Sequence, residues 1–231
     1  MSEVPVVTLH GLGRTRLAMW PLGRRMGGRG YTVTNLGYFG PLGLRHSVDA
    51  VGDALHERGL CDVPIDFVTH SMGGIVARAL IAEGRVKARR VVQLAPPNQG
   101  SWLADRVRKL PVAGFVRAFK DLGHSAEAKI EALGDAPAEV EIGVVAGESV
   151  SALLGGELGD GVVRVAETYL VGARDWILVP HFHTLVMNGR DTLDEVDHFL
   201  KSGRFSPTAE RLERDLHGRV TRTEPKEQVK T

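Results

Sequence analysis

The chain has 231 residues, 43% of them hydrophobic, which is enough for one folded domain with a sizeable core. Its 29 Lys and Arg residues nearly balance its 28 Asp and Glu residues, so the formal charge is only +1. This balance argues against a nucleic-acid-binding protein, which carries a marked excess of basic residues. The single cysteine, Cys61, cannot form an internal disulfide.

The amino terminus leads directly into an apolar run without the basic and apolar regions of a secretory signal peptide. No apolar stretch approaches the roughly 20 residues that a membrane span requires. We therefore expect a cytoplasmic protein without stable membrane insertion. A secreted chain whose signal peptide has been removed has the same features.

Short apolar runs alternate with helical patterns along most of the chain. The periodicity predicts strands at 4–9, 31–36, 65–69, 90–94, 140–146 and 176–179, and helices at 18–28, 47–56, 72–83 and 192–201. This alternation predicts a mostly parallel sheet with helices on both faces. From Arg204 onward the sequence is charged and punctuated by proline, which predicts a frayed helix and a disordered tail.

The run 65–69 ends in His70-Ser71-Met72-Gly73-Gly74, and a helical pattern follows directly. A strand, a sharp turn and a helix are predicted here. Such a turn lifts a serine hydroxyl off the carboxyl end of a strand, and small neighbours are needed so that the backbone does not collide with adjacent elements. An ordinary serine N-cap is the alternative interpretation.

Two glycine-rich loops follow the first two predicted strands. After the first comes His10-Gly11-Leu12-Gly13, which lacks the third glycine and the Lys-Ser/Thr pair of phosphate-binding loops. Phosphate binding is therefore disfavoured. The loop 37–43 after the second strand contains glycines and aromatic residues, and either walls a pocket or simply turns the chain.

These segments resemble the α/β-hydrolase superfamily, specifically its small bacterial lipase and esterase branch. The branch carries Gly-x-Ser-x-Gly at its nucleophile, and here Thr69 replaces the first glycine. Further matches are His10-Gly11, the loop 96–101, Asp160-Gly161 and the segment around His183. The resemblance implies an α/β-hydrolase domain over 1–205, with an insertion at 98–137 above the active site and a charged tail at 206–231.

The resemblance also implies the site. Ser71 is expected to be the nucleophile, His183 the base that takes its proton, and Asp160 the acid that orients the histidine. The backbone N–H groups of Leu12 and Met72 are expected to form the oxyanion hole, which stabilises the negative charge of a tetrahedral intermediate.

Several residues compete for the role of acid. Glu148, Glu157 and Asp160 all lie in the segment after the strand 140–146, and Asp175 precedes the next strand. Asp160 is preferred because members of this branch carry Asp-Gly followed by apolar residues at this point. A simple Asp-Gly hairpin turn is the alternative for that pair, and Asp175 is the second choice of acid.

Two histidines compete for the role of base. His181 and His183 both follow the strand 176–179, with side chains on opposite sides of an extended backbone. His183 is preferred because His-Thr followed by apolar residues resembles the catalytic-histidine segment of the branch. His181 is then expected to line the site.

An apolar stripe lies within the predicted insertion. Val112, Phe115, Val116 and Phe119 have helical spacing, which fits either a helix packed on the body of the protein or a lid. Together with His10 and His181, Phe115 and Phe119 are the expected substrate-binding residues. No Cys/His cluster has zinc-like spacing and no acidic pattern suggests calcium, so no metal or cofactor is expected.

The expected function is hydrolysis of carboxylic esters through an acyl-enzyme on Ser71. The expected partner is a small acyl ester or a lipid, and the sequence does not indicate an oligomeric state. A thioesterase or acyltransferase with the same three residues is an alternative. A non-catalytic member that uses the cleft for binding is a further one, although a binding protein has no need of all three.

Overall fold

The computed structural model describes residues 4–109, 116–124, 130–149 and 157–223. The strands are β1 (Val6–Leu9), β2 (Val33–Leu36), β3 (Pro64–His70), β4 (Lys87–Leu94), β5 (Glu141–Gly147), β6 (Asp175–Val179), β7 (Glu210–Arg214) and β8 (Val220–Thr223). In the described ranges these eight strands form one sheet in the order β2-β1-β3-β4-β5-β6-β7-β8. The first six are parallel, and β7 and β8 are antiparallel. The predicted mostly parallel sheet is confirmed.

The helices connect the parallel strands. They are α1 (Trp20–Gly27), α2 (Leu44–His56), α3 (Met72–Ala82), α4 (Trp102–Arg108), α5 (Ala118–Leu122), α6 (Val165–Thr168) and α7 (Arg190–Ser202). Helix α2 begins three residues before the predicted start at 47, because the Asp121 carboxylate accepts the Leu44 N–H at 2.7 Å. A cap from so distant a residue has no signal in the local sequence. No helix in the described ranges has the length and apolar character needed to cross a membrane.

Both faces of the sheet are covered, as the alternation of elements predicts. Adjacent residues of a strand point to opposite faces. Phe67 of β3 packs in a core with α2 and α3, whereas its neighbour Val68 packs in a second core with α1 and α7. The strands are therefore covered on both faces by apolar cores. The loops at the ends of the strands are the places where a functional site can form.

The segment from Arg204 to Thr223 differs from the prediction, and the rest of the predicted tail, 224–231, lies outside the described residues. Instead of a frayed helix, β7 and β8 form a hairpin that pairs with β6 and extends the sheet. Leu212 is buried, and the hairpin turn is closed by Asp215, whose carboxylate accepts the His217 N–H at 2.8 Å and the Arg219 N–H at 2.9 Å. The charged composition misled the prediction because only one face of this edge hairpin meets the core.

The packing of β5 against α7 generates a stability prediction. A Cβ atom at Gly143 overlaps the ring of Phe199, and both residues are buried. Gly143→Ala should therefore lower the free energy of unfolding by about 1–3 kcal/mol, measured by urea denaturation. The matched control is Gly27→Ala, where nothing lies within 4 Å and the change should stay below about 1 kcal/mol. Equal effects at the two sites would contradict this packing.

Candidate active site

Ser71 occupies a strained turn between β3 and α3. Its φ of 52° and ψ of −125° lie in a region that non-glycine residues rarely adopt. Holding such a conformation costs on the order of 1–3 kcal/mol, so the surrounding structure must enforce it. The Ser71 N–H donates to the Leu94 carbonyl at 2.8 Å, which fixes the turn to the end of β4. The serine is thereby held at the carboxyl edge of the sheet, as predicted.

Two glycines let α3 pack close to the sheet. A Cβ at Gly73 would lie 2.8 Å from the carbonyl oxygens of both Leu9 and His10. A Cβ at Gly74 would lie 3.3 Å from the Oγ1 of Thr69. The second glycine thus makes room for the threonine that replaces the usual glycine of the motif, so this departure leaves the turn intact.

A chain of hydrogen bonds joins the three side chains that the sequence predicts. The His183 Nε2 lies 3.0 Å from the Ser71 Oγ, and the His183 Nδ1 lies 2.7 Å from the Asp160 Oδ2. The Asp160 side chain is fully buried, and its Oδ1 accepts the N–H groups of Val162 at 3.0 Å and Val163 at 2.8 Å. This carboxylate is fixed in orientation, so it holds the proton on Nδ1 and leaves the Nε2 lone pair facing the serine.

The competing residues lie elsewhere. Asp175, the second choice of acid, begins β6 at the opposite edge of the sheet, where it accepts the Phe205 N–H at 3.0 Å and pairs with Arg211 at 3.2 Å. His181 does not line the cavity, because its Nε2 lies 2.6 Å from a carboxylate oxygen of Asp191 at the start of α7. Its ring is therefore directed at a helix terminus and away from Ser71.

The other candidate acids form ion pairs. Glu148 pairs with Arg222, and Glu157 pairs with Arg164 at 3.2 Å. Among the residues that the structure describes, no three His, Cys, Asp or Glu side chains converge in a way that could hold a metal ion. The expectation that the protein uses no metal stays a prediction.

His10 was expected to bind the substrate, but it does not line the cavity. Its ring supports a loop instead. Its Nδ1 donates to the Gly11 carbonyl at 2.9 Å, and its Nε2 accepts the Tyr38 N–H at 3.3 Å. The ring stacks on Tyr38 at 4.4 Å between centroids, and the Tyr38 hydroxyl donates to the His10 carbonyl. Burial lowers the pKa of His10, which keeps the ring neutral as these bonds require. The two residues fasten the loop that carries Leu12.

The second glycine-rich loop supports the same region. Gly40 packs against Leu12 and Met72, since a Cβ there would lie 3.1 Å from the Leu12 Cδ1 and 3.5 Å from the Met72 Sδ. Met72 is the first residue of α3, so its N–H has no acceptor within the helix. Residues 37–43 do not line the cavity beside Ser71, so of the two alternatives for this loop the structure favours a turn, which also packs against Leu12 and Met72. Sequence reasoning did not find Tyr38 or Gly40.

A cavity of about 300 Å³ opens in front of Ser71 and His183. Its lining is mainly apolar and consists of Leu12, Gly13, Arg14, Ser71, Pro97, Ser101, Leu103, Ala104, Phe119, Leu122, Val162, Val163, His183 and Thr184. Phe119 therefore lies where a substrate-binding residue is expected. Phe115 and Val112 fall outside the described residues. Helices α4 and α5, within the range of the predicted insertion, form one wall.

The comparisons with known proteins agree with this architecture. A family model described as the alpha/beta hydrolase family matches residues 6–223. This chain belongs to the alpha/beta hydrolase family. The resemblance noted in the sequence is thereby confirmed, and the sheet is the alpha/beta hydrolase sheet. A search of curated proteins finds no match.

Solved structures of other alpha/beta hydrolases share the fold. The mature lipase BlEst2 of Bacillus licheniformis has a TM-score of 0.70 at 18% identity, over 88% of this chain and 93% of that one. Phospholipase PlaB of Legionella pneumophila has a TM-score of 0.62 at 15% identity, over 96% and 67%. A thermophilic esterase from Thermogutta terrifontis has a TM-score of 0.61 at 16% identity, over 87% and 90%. Identities this low establish the common fold alone.

His70 is a residue whose role the sequence did not reveal. It is fully buried, its Nε2 donates to the His183 carbonyl at 2.9 Å, and the two rings are 4.7 Å apart. Its Nδ1 has no partner among the described residues and faces Gly11, where a Cβ would lie 2.9 Å away. Burial and the neighbouring His183 lower the pKa of His70 well below its usual value. The neutral ring ties the loop of His183 to the strand of Ser71.

The lowered pKa of His70 predicts a pH dependence of stability. Below about pH 6.5 an unfolded histidine binds a proton that the native His70 does not, so the free energy of unfolding should fall as the pH is lowered from 7 to 5. His70→Gln should reduce this slope by up to about 1.4 kcal/mol per pH unit, measured by urea denaturation at each pH. The control, His56→Gln on the exposed side of α2, should keep the wild-type slope. An unchanged slope in His70→Gln would contradict a neutral buried ring.

Proposed function

We propose that this alpha/beta hydrolase cleaves carboxylic esters through an acyl-enzyme on Ser71. The observation that carries the proposal is the position of His183, which joins the Ser71 Oγ at 3.0 Å to the buried Asp160 carboxylate at 2.7 Å. The expected substrate is a small acyl ester or a lipid. Lipases and an esterase among the structural neighbours support this choice of chemistry.

In the first half-reaction, the Ser71 Oγ attacks the acyl carbonyl carbon and its proton passes to the His183 Nε2. Asp160 stabilises the imidazolium, because its carboxylate accepts the Nδ1–H and is itself fixed by the N–H groups of Val162 and Val163. The tetrahedral intermediate then collapses. The ester C–O bond breaks, and the leaving alcohol takes the proton from the Nε2.

In the second half-reaction, water replaces the alcohol. His183 removes a proton from the water as its oxygen attacks the acyl-enzyme, and a second tetrahedral intermediate forms. When this intermediate collapses, the bond to the Ser71 Oγ breaks and the proton returns to that oxygen. The carboxylic acid leaves, and the starting state is restored.

The oxyanion of both intermediates is proposed to accept hydrogen bonds from the N–H groups of Leu12 and Met72. Support comes from their surroundings: Leu12 lines the cavity beside Ser71, and Met72 begins α3, whose amino end favours negative charge. The Tyr38–His10 stack and Gly40 hold the two backbone segments in place. One such donor contributes about 10²–10³ to kcat in a well-studied hydrolase.

The acyl chain is proposed to lie against the apolar wall of the cavity. Leu103 and Ala104 of α4, with Phe119 and Leu122 of α5, offer hydrocarbon surface and no charge. Such a wall favours burial of an acyl chain over a polar substituent. The Oγ of Ser101 caps α4 by accepting the Ala104 N–H at 3.2 Å, which fixes one side of this wall.

Hydrolysis of a series of p-nitrophenyl acyl esters tests the proposal. Ser71→Ala should lower kcat by about 10⁶ and Asp160→Asn by about 10⁴, because these residues act as a unit. His181→Asn serves as the matched control for His183→Asn, and only the latter should abolish turnover. An organophosphonate should form an adduct on Ser71, located by mass spectrometry.

The outcomes separate the alternatives. An adduct on Ser71 without turnover of any ester would point to thioesters or to acyl transfer onto an alcohol or amine. Loss of activity in His181→Asn and its retention in His183→Asn would overturn the assignment of the base. If the protein shows neither turnover nor an adduct, a non-catalytic binding protein is the remaining interpretation.

A further inference from the structure

Large apolar side chains are exposed in three segments at the edge of the sheet where the cavity opens. In the described residues, Leu17 is 72% exposed, Phe39 62%, Phe182 55% and Leu185 51%. They lie in segments 10–20, 37–44 and 180–189, which follow the carboxyl ends of β1, β2 and β6. We call these three segments the rim surface. Scattered exposed apolar residues are ordinary, whereas several beside one cavity indicate a binding surface.

Contacts between the segments make the rim surface continuous. The Asn35 side chain at the end of β2 donates to the Arg16 carbonyl at 2.8 Å, and Gly40 packs against Leu12. Across the cavity, Thr184 and Arg14 line the same opening. The segments 10–20 and 180–189 therefore border one opening, and the segment 37–44 packs on the first of them through Gly40 and Leu12.

The charge of the rim surface is one-sided. None of its three segments contains an Asp or Glu, although the chain as a whole has 28. Arg14 and Arg16 are exposed, and the guanidinium of neither forms an ion pair or hydrogen bond with a described residue. A chain of net charge +1 thus carries a local excess of positive charge where its apolar side chains are exposed.

We propose that the rim surface docks on a phospholipid bilayer with anionic headgroups. A bilayer surface offers what these side chains lack: hydrocarbon for the phenylalanine and leucine side chains, and phosphate and other anionic groups for the two arginines. Arginine stems can lie along the apolar layer while the guanidinium groups stay among the headgroups. Docking in this orientation places the cavity opening against the lipid. Docking through this surface does not depend on the proposed activity.

The test is co-sedimentation of the full chain, as the Ser71→Ala variant so that no lipid is consumed, with vesicles of phosphatidylglycerol or phosphatidylcholine. The protein should bind the anionic vesicles at least tenfold more tightly, and raising the salt from 0.1 to 0.5 M should weaken this binding. If the protein binds neither kind of vesicle, or binds both kinds equally, the proposal is overturned.

Variants locate the surface. Arg14→Gln with Arg16→Gln should weaken binding to anionic vesicles about 30-fold, at about 1 kcal/mol per basic residue. Phe39→Ser with Phe182→Ser should weaken it at least tenfold. The matched controls are Arg58→Gln and Leu216→Ser, exposed residues near the opposite edge of the sheet, and they should bind like the parent.

Equal loss in the rim and control variants, or loss in neither, would overturn the location. Far-ultraviolet circular dichroism and the melting temperature establish that each variant is folded. Vesicle binding without turnover of any ester would leave the docking surface intact and remove the proposed function. Ester turnover without vesicle binding would leave the proposed function intact and overturn the docking surface.

Discussion

The strained turn at Ser71 is the constraint on which the rest of the site depends. A serine at φ 52° is unfavourable by itself, so β3, β4 and α3 must together hold it there. They do so through the bond from the Ser71 N–H to Leu94 and through the approach of Gly73 to the end of β1. The same turn places the first N–H of α3 beside the hydroxyl. One backbone conformation thus positions both the proposed nucleophile and part of the proposed oxyanion hole.

The loop of His183 is the partner of that turn, and burial explains how it is held. The His183 N–H donates to the Asp160 carbonyl at 2.9 Å, and its own carbonyl accepts from the buried His70. Burial lowers the pKa of both His70 and His10, so each ring is neutral, with one nitrogen as donor and the other without a proton. Two buried, neutral imidazoles therefore hold the backbone around a histidine that is proposed to carry a proton during turnover.

Sequence reasoning found those features that depend on neighbours in the chain. The strand, turn and helix around Ser71 follow from an apolar run, two glycines and a helical period, and the resemblance to the lipase and esterase branch favoured Asp160 over Asp175 through its Asp-Gly pair. It missed the hairpin of β7 and β8, because its strands are short, charged and apolar on one side only. It also placed His10 and His181 at the substrate, although their hydrogen-bond partners, Tyr38 and Asp191, direct both rings elsewhere.

The sequence by itself determined the class of fold, since periodicity and glycine spacing are properties of the chain, and its resemblance to the α/β-hydrolase superfamily singled out Ser71, Asp160 and His183. Tertiary structure alone decided how those side chains meet. Ser71 and His183 are 112 positions apart, and their 3.0 Å contact depends on how the loops after β3 and β6 return to one edge of the sheet. The contacts of His70, the stack on Tyr38 and the acid-free rim around the cavity arise in the same way. They join residues from different strands, and no local pattern records which strands the fold will place side by side.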